Sequence, residues 1–302
     1  MSRNARAVAP ERLDGCVVAS YGRRYAVEVA GGTVLDCVTR GRRGEIACGD
    51  RVRVAVTSPG AGVIETVSPR ASLFYRSDRN REKLVAANVT QAFVVVAPVP
   101  TWSPELVDRC LAAAEHEGIR ALIVLNKCDL PDSAAALAAL DCYRGLGYTV
   151  LTIAAKRDVS PLRPHLAGRV SVLVGQSGMG KSTIINALLP EAAARVGEVS
   201  AALDGGRHTT THARLYRLDA ATAIIDSPGM QEFGVHHLTV VDLTHGFVEL
   251  RPYHGQCRFN DCLHLTEPGC AVTAAAERGL VNERRLASYR RLATEIAQPR
   301  RY

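Results

Sequence analysis

At 302 residues, with 47% apolar and 22% charged side chains, the chain has the balance of a protein that buries real cores, and the length for roughly two or three domains. That excludes disordered, collagen-like and coiled-coil readings. The longest apolar stretch, Ala92 to Pro100, is far short of the ~20 residues of a membrane-spanning helix, and Met1–Pro10 carries arginines but no apolar core for a signal peptide. The expectation is a soluble, cytoplasmic protein that meets no membrane. Nine cysteines, six of them scattered over positions 16–142 and three bunched between 257 and 270, are not spaced like a secreted disulfide framework. The formal charge of +7 divides unevenly: residues 1–80 hold 13 Arg/Lys against 8 Asp/Glu, residues 81–249 hold 15 against 17, and residues 250–302 hold 9 against 5. Two basic ends flanking a near-neutral middle suggest a central machine with arms that meet polyanion, since clustered Arg/Lys gain affinity for phosphate backbones by releasing counterions. With only four lysines (Lys83, Lys127, Lys156, Lys181), arginine abundance also fits a biased codon usage.

From Gly15 to Val67, short runs alternate apolar and polar residues (Cys16–Ala19, Tyr25–Val29, Thr33–Val38, Arg51–Val56, Val63–Val67) between Gly-rich breaks. Five strands of this kind predict a small β-barrel. An OB-fold, a common nucleic-acid binder, is preferred, and an SH3-like barrel would read almost the same. After a polar connector at Arg76–Lys83, apolar strands (Ala92–Ala97, Ala121–Leu125, Thr149–Ile153, Val170–Val174, Ala223–Ile225) alternate with helix-length segments (Pro104–Glu117, Ser133–Arg144, Lys181–Leu189). That alternation predicts an α/β domain with a largely parallel sheet. A third segment begins near Glu249 and ends in Asn282–Gln298, a helix with Leu286, Tyr289, Leu292 and Ile296 on one face and a basic face of Arg284, Arg285, Arg290 and Arg291, read as solvated. The expected domains are 1–76, 77–249 and 250–302.

The strongest motif, Gly175-Gln176-Ser177-Gly178-Met179-Gly180-Lys181-Ser182, follows a Val-rich strand and opens a helix. Its backbone N–H groups and the helix N-terminus suit phosphates, Lys181 can reach the β and γ oxygens, and the Ser182 hydroxyl suits Mg²⁺. Some forty residues on, a strand ends in Asp226-Ser227-Pro228-Gly229, a DxxG pattern whose Asp can hold Mg²⁺ through water and whose Gly amide can sense a γ-phosphate. Between them, Gly206–His212 is a polar loop suited to a switch in which a threonine coordinates Mg²⁺ only when the γ-phosphate is present. Thr210 is favoured, with its neighbours left open. Asn126-Lys127-Cys128-Asp129 ends the strand Ala121–Leu125, and the Asp129 carboxylate can accept from both N1–H and the exocyclic amine of guanine, for which adenine has no counterpart. That points to GTP over ATP. In the third segment, Cys257, Cys262, His264 and Cys270 offer three thiolates and an imidazole within fourteen residues, a full tetrahedral set for one structural Zn²⁺, with His254 as an alternative imidazole.

The guanine-reading motif precedes the phosphate loop, which precedes the switch and DxxG, whereas in ordinary small GTPases the guanine-reading motif follows the others. Circular permutation would preserve such a site while moving the termini. In that order, and in its GQSGMGKST, GRHTTTHARLY, DSPG and cysteine-cluster segments, the chain resembles the bacterial RsgA (YjeQ) family of circularly permuted, ribosome-dependent GTPases over nearly its whole length. The resemblance implies an N-terminal OB-fold, a permuted GTPase domain and a C-terminal zinc-binding α domain. It also implies a role in late maturation of the small (30S) ribosomal subunit, with contact to 16S rRNA and GTP hydrolysis stimulated by the subunit; a monomer is expected. On that pattern the nucleotide is held by Asn126, Lys127, Asp129, Gly175, Gln176, Ser177, Gly178, Met179, Gly180, Lys181, Ser182, Thr183, Asp226 and Gly229, Mg²⁺ by Ser182, Thr210 and Asp226, and zinc by His264 with the three cysteines. Where relatives often have serines in the second base-contacting loop, Ala154 and Ala155 leave only backbone contact.

Met230 stands where Ras-like enzymes carry the water-orienting glutamine, a task a thioether cannot perform. His208 matches the residue the family uses instead, and Gln231 is a second candidate. Catalysis is expected to rest on Lys181, Thr210, His208 and bound Mg²⁺, with slow turnover in isolation. The competing readings are an RNA-binding scaffold latched by nucleotide with little hydrolysis, and a P-loop ATPase.

Overall fold

The computed structural model describes residues 10–40, 46–77, 82–189, 212–228 and 233–298. The alternating N-terminal runs form β1 (Arg12–Tyr21), β2 (Arg24–Val29), β3 (Val34–Thr39), β4 (Arg51–Ser58) and β5 (Ala61–Val67). They pair in the order β1-β2-β3-β5-β4, and β4 returns to β1 to close the barrel. Closure removes the free edges that such short strands would otherwise expose. Val17, Tyr25, Val27, Leu35, Val52 and Val54 fill its interior as a core of its own.

The described residues of the segment expected as a polar connector, 76–77 and 82–83, are strand: β6 (Leu73–Ser77) and β7 (Glu82–Ala87) form a separate antiparallel hairpin in which Arg76 opposes Lys83. Single-sequence alternation hid it because basic residues occupy its outer end. The α/β sheet follows, with β8 (Gln91–Val96), β9 (Arg120–Leu125), β10 (Thr149–Thr152), β11 (Val170–Val174), β12 (Arg214–Arg217) and β13 (Ala223–Asp226) in the order β10-β9-β8-β11-β13-β12. All pairs are parallel except β12–β13. β8 is buried throughout, as a central parallel strand covered on both faces must be. The edge strand β12 meets the barrel through one bridge, Ala19 to Arg214.

Among the helices, α1 (Pro104–His116) begins at Ser103, whose side chain accepts from Leu106 N–H, with Pro104 in the first turn. The segment expected as one helix over Ser133–Arg144 is two short ones, α2 (Ser133–Ala138) and α3 (Asp141–Gly145). α4 (Arg163–Leu166) and α5 (Lys181–Leu188) complete the α/β layer. The C-terminal part contains α6 (Val240–Gly246), α7 (Ala271–Glu277) and α8 (Glu283–Ala297). Its Val272, Ala275, Tyr289 and Leu292 belong to the same continuous core as β8 and α1. No described helix is long and apolar enough to cross a membrane.

Candidate nucleotide site and metal cluster

Because β8, β9, β10, β11 and β13 run parallel, the loops that leave their C-terminal ends gather on one edge, the edge where open α/β sheets bind ligands. Asn126 follows β9, Ile153–Ala155 follow β10, Gly175 follows β11 and Ser227 follows β13. Chain order is irrelevant to this convergence, which is why a permuted sequence assembles an ordinary edge. Two glycines of the phosphate loop are dictated by space as well as by conformation. At Gly175 (φ +143°) a Cβ would lie 2.3 Å from the Val95 carbonyl oxygen, and at Gly180 (φ +91°) 2.3 Å from Asn126 Nδ2.

Asn126 is the hub. Its Nδ2 donates to the Met179 carbonyl at 2.9 Å, while its Oδ1 accepts from the backbone N–H of Lys127 at 2.8 Å and of Ala155 at 3.0 Å. One buried amide thus ties the phosphate loop, the NKCD turn and the 154–155 loop together. Lys127 lies across the phosphate loop, its Nζ donating to Val99 O (2.6 Å) and Gly178 O (2.8 Å). Asp129 carries an ion pair to Arg157 at 3.4 Å from the opposite loop. Gln176 reaches the other way: its Oε1 accepts from Ser103 N–H at 2.8 Å, joining the phosphate loop to the start of α1.

Lys181 Nζ donates to the loop carbonyls of Gly175 (2.8 Å) and Gln176 (3.1 Å). Burial pushes its ammonium down from the ordinary value, with Asp226 opposing. Ser182 Oγ donates to Asp226 Oδ2 at 3.3 Å, so the expected magnesium-binding hydroxyl and carboxylate are neighbours. Ser177 and Gly178 are exposed on the loop, Met179 is buried beneath it, and Thr183 is half-buried in the first turn of α5. Ser227 donates to the Leu173 carbonyl at 2.5 Å and pins the DSPG turn to the strand that feeds the phosphate loop. His208, Thr210, Gly229, Met230 and Gln231 lie outside the described residues.

In the C-terminal part, the donor atoms of Cys257, Cys262, His264 and Cys270 lie within 4.8 Å of one another. His264 Nδ1 faces the three sulfurs at 3.4, 3.6 and 3.5 Å. A tetrahedral ion about 2.3 Å from sulfur and about 2.0–2.1 Å from nitrogen sets that separation near 3.6 Å, so the four residues fit a tetrahedral metal. His254 does not join them; its ring packs against His245 at 5.3 Å. The cluster is held from α8, where Tyr289 OH donates to Leu263 O at 2.9 Å and Arg290 Nε donates to His264 O at 3.0 Å.

The arginines of α8 form the solvated face read from the sequence only in part, Arg291 being exposed. Arg285 is fully buried, donating to Glu249 (2.7 and 2.9 Å) and Asp108 (2.8 Å), and Arg284 donates to Asp108 at 2.7 Å and to Tyr143 OH at 3.0 Å. Burial alone would raise the Asp108 pKa, but Arg285 and Arg284 outweigh it and hold the carboxyl below its ordinary value. A helical wheel could not show this, because the carboxylate that draws Arg285 inward sits on α1, more than 170 residues away in sequence.

The sequence profile of the RsgA GTPase family matches residues 67–236, more than half of the chain. The chain belongs to the RsgA GTPase family. The small ribosomal subunit biogenesis GTPase RsgA of Nitrosomonas europaea is 54% identical over 284 residues, 93% of this chain and 90% of that protein. Its counterpart in Neisseria gonorrhoeae is 52% identical over 280 residues, 93% and 91% of the two chains. Among solved structures, YjeQ from Thermotoga maritima superposes with a TM-score of 0.71 at 30% identity, covering 96% of this chain and all of the other. YloQ, a circularly permuted GTPase, gives 0.66 at 26% identity with both chains fully covered. The permuted motif order is therefore a family trait, and the central domain is a GTPase domain. Sequence reasoning missed the residues that hold the site in shape: Ser103, Asp108, and the tying roles of Asn126 and Gln176, whose partners only the fold brings together.

Proposed function

We propose that the chain is a cytoplasmic GTPase acting in late maturation of the small ribosomal subunit, which it engages through 16S rRNA and leaves after hydrolysis to GDP and phosphate. The convergence of NKCD, phosphate loop and DSPG on one sheet edge carries the nucleotide half of this reading. The names of its relatives, with the closed barrel and basic ends, support the ribosomal half. In it Asp129 reads guanine, Lys181 exchanges its loop carbonyls for β and γ oxygens, and the Ala155 backbone stands beside the base. Ser182, Asp226 and Thr210 hold Mg²⁺, which neutralises charge on the transferring phosphoryl group. His208 orients the attacking water in place of a glutamine, and the Gly229 amide senses the γ-phosphate. Cys257, Cys262, His264 and Cys270 hold one Zn²⁺ as a structural ion with no open position. The chain acts as a monomer whose units are the barrel to residue 76, the GTPase domain over 77–249 and the zinc-binding part from 250.

The test is GTP and ATP turnover with and without purified small subunits. The expected result is slow, GTP-selective turnover that the subunits accelerate and that His208→Ala abolishes. Asp129→Asn should shift preference away from guanine, since a carboxamide cannot accept from both guanine donors. Fast turnover unchanged by subunits, or base preference unchanged in Asp129→Asn, would overturn the reading.

A further inference from the structure

The imidazole of the metal cluster is carried by a backbone conformation that an L-residue seldom adopts. His264 has φ +59°, in the left-handed region where a Cβ crowds the chain, and a non-glycine residue stays there only where its surroundings overdetermine it. None of the three cysteines has a positive φ, so among the four side chains of the cluster His264 alone is placed at the cost of backbone strain. The ring it places is 5% exposed and turns Nδ1 to all three sulfurs.

Two peptide planes set the conformation of His264, and both are gripped. On the carbonyl side, Tyr289 holds Leu263 O and Arg290 holds His264 O, as described above. On the N–H side a single carboxylate does the holding. Glu267 Oε1 accepts from Leu263 N–H at 2.9 Å, and Oε2 accepts from Leu265 N–H at 2.8 Å and Thr266 N–H at 3.0 Å. The peptide between His264 and Leu265 is therefore fixed at both ends, its oxygen by Arg290 and its N–H by Glu267. Backbone N–H groups that converge around a left-handed residue form a concavity suited to an anion, and here the chain supplies the anion itself. Glu267 is not one of the residues whose donor atoms gather in the cluster, so its carboxylate acts on the loop and not as a ligand.

We propose that Glu267 is the positioning residue of the metal cluster: its carboxylate clamps the backbone on both sides of His264 and so keeps the imidazole aimed at the three thiolates. This rests on the reading of the cluster as a Zn²⁺ site. Groups that orient a metal ligand from behind typically change metal affinity by about 10–100-fold, and that is the loss expected when this one is removed. The experiment measures Zn²⁺ affinity of the full chain by competition with a chromophoric chelator, and the visible spectrum of Co²⁺ bound in place of Zn²⁺. The samples are the parent, Glu267→Gln, Glu267→Ala, His264→Ala and the double variant of the last two. Gln keeps one acceptor oxygen, enough for Leu265 and Thr266, but presents an amide N–H₂ to the Leu263 N–H.

Zinc affinity is expected to fall in the order parent, Glu267→Gln, Glu267→Ala, the last by about 10–100-fold. The Co²⁺ spectrum of Glu267→Ala should approach that of His264→Ala, with the thiolate-to-cobalt absorption retained. In the His264→Ala background the further loss of Glu267 should cost little, because residues that act through one another are not additive. A loop that is merely loosened would weaken binding without removing nitrogen from the Co²⁺ spectrum, and its loss would add to that of His264→Ala; either outcome overturns the proposal, as does a parent-like affinity in folded Glu267→Ala. Thermal melts identify a variant that fails to fold, and Glu267→Gln then carries the same comparison. A parent chain that binds neither Zn²⁺ nor Co²⁺ overturns instead the reading of the cluster as a metal site.

Discussion

The two ends of the molecule are attached to the GTPase domain by opposite means. The barrel keeps its own core and meets the rest of the chain through the Ala19–Arg214 bridge, the Glu28–Arg217 ion pair and hydrogen bonds from Ala87 and Asn88 to Cys48 O and Gly49 O, while ion pairs on its outer side, such as Arg53 with Asp14, lie in solvent. The C-terminal part has no separate core. It grips α1 along its length: Arg291 and Glu105 at 3.0 Å, Arg285 and Asp108, Glu115 and Arg251 at 2.6 Å, and Gly246 so close that a Cβ there would lie 2.9 Å from Ala112 Cα. A segment too small to bury enough surface for itself borrows the core of its neighbour and carries four side chains that fit a metal. The barrel thus has a core of its own to unfold with, whereas the C-terminal part stands or falls with the GTPase domain.

Metal removal should break this contrast most severely. Structural zinc contributes about 10–16 kcal/mol in isolated peptides, and loss of the zinc proposed for this cluster should propagate through Tyr289 and Arg290 into the shared core. Cys262→Ser or chelation is expected to lower the thermal midpoint of the GTPase domain by on the order of 10 °C or more while leaving the barrel's own unfolding in place. Scanning calorimetry checks it. A GTPase transition that stays put would mean that the C-terminal part is an independent unit after all.

Next in size is the buried charge cluster. Arg285→Ala leaves Glu249 without its guanidinium and Asp108 with Arg284 alone, and removing one partner of a buried pair costs about 3–5 kcal/mol. Urea unfolding should register that loss, with weaker nucleotide binding if α1 shifts against Gln176. The matched change in the barrel, Arg53→Ala, should leave the unfolding midpoint where it was, because the pair is exposed and screened. Equal effects of the two substitutions would erase the distinction between the ends.

How much of this was legible beforehand follows the range of the interactions. The five barrel strands and the parallel strands announce themselves in local alternation and apolar runs, and the phosphate loop, NKCD and DSPG are contiguous words with fixed chemistry. Zinc spacing is equally local, and His264 rather than His254 completes the cluster. The hairpin at 73–87 and the burial of Arg285 were not legible. The hairpin was hidden by the basic residues at its outer end, and the burial of Arg285 by partners distant in sequence, Asp108 and Glu249. A charged residue on a helix reads as solvated until the carboxylates that surround it are placed.

The smallest effect concerns the joint between the β6–β7 hairpin and the segment after DSPG, where Ser77 Oγ accepts from the His237 backbone N–H at 2.7 Å and lies 2.8 Å from His237 Nδ1. His237 is held by burial, and secondarily by His116 and His236, well below its ordinary value of 6.5, at about 4, with Asp242 pulling the other way. A histidine depressed on folding binds its proton more readily in the unfolded chain. Above pH about 6.5 both states are neutral and stability is flat; as pH falls from there towards about 4, the unfolded chain takes up a proton that the folded chain refuses, and stability declines. Other groups of the chain also take up protons as the pH falls, so the informative quantity is the difference between the parent and His237→Asn. Stability measured by urea unfolding from pH 7 to 4 should fall less steeply in the variant. Equal slopes would mean that the ring is as free to protonate in the folded chain as in water, and that the joint at Ser77 is looser than its hydrogen bonds indicate.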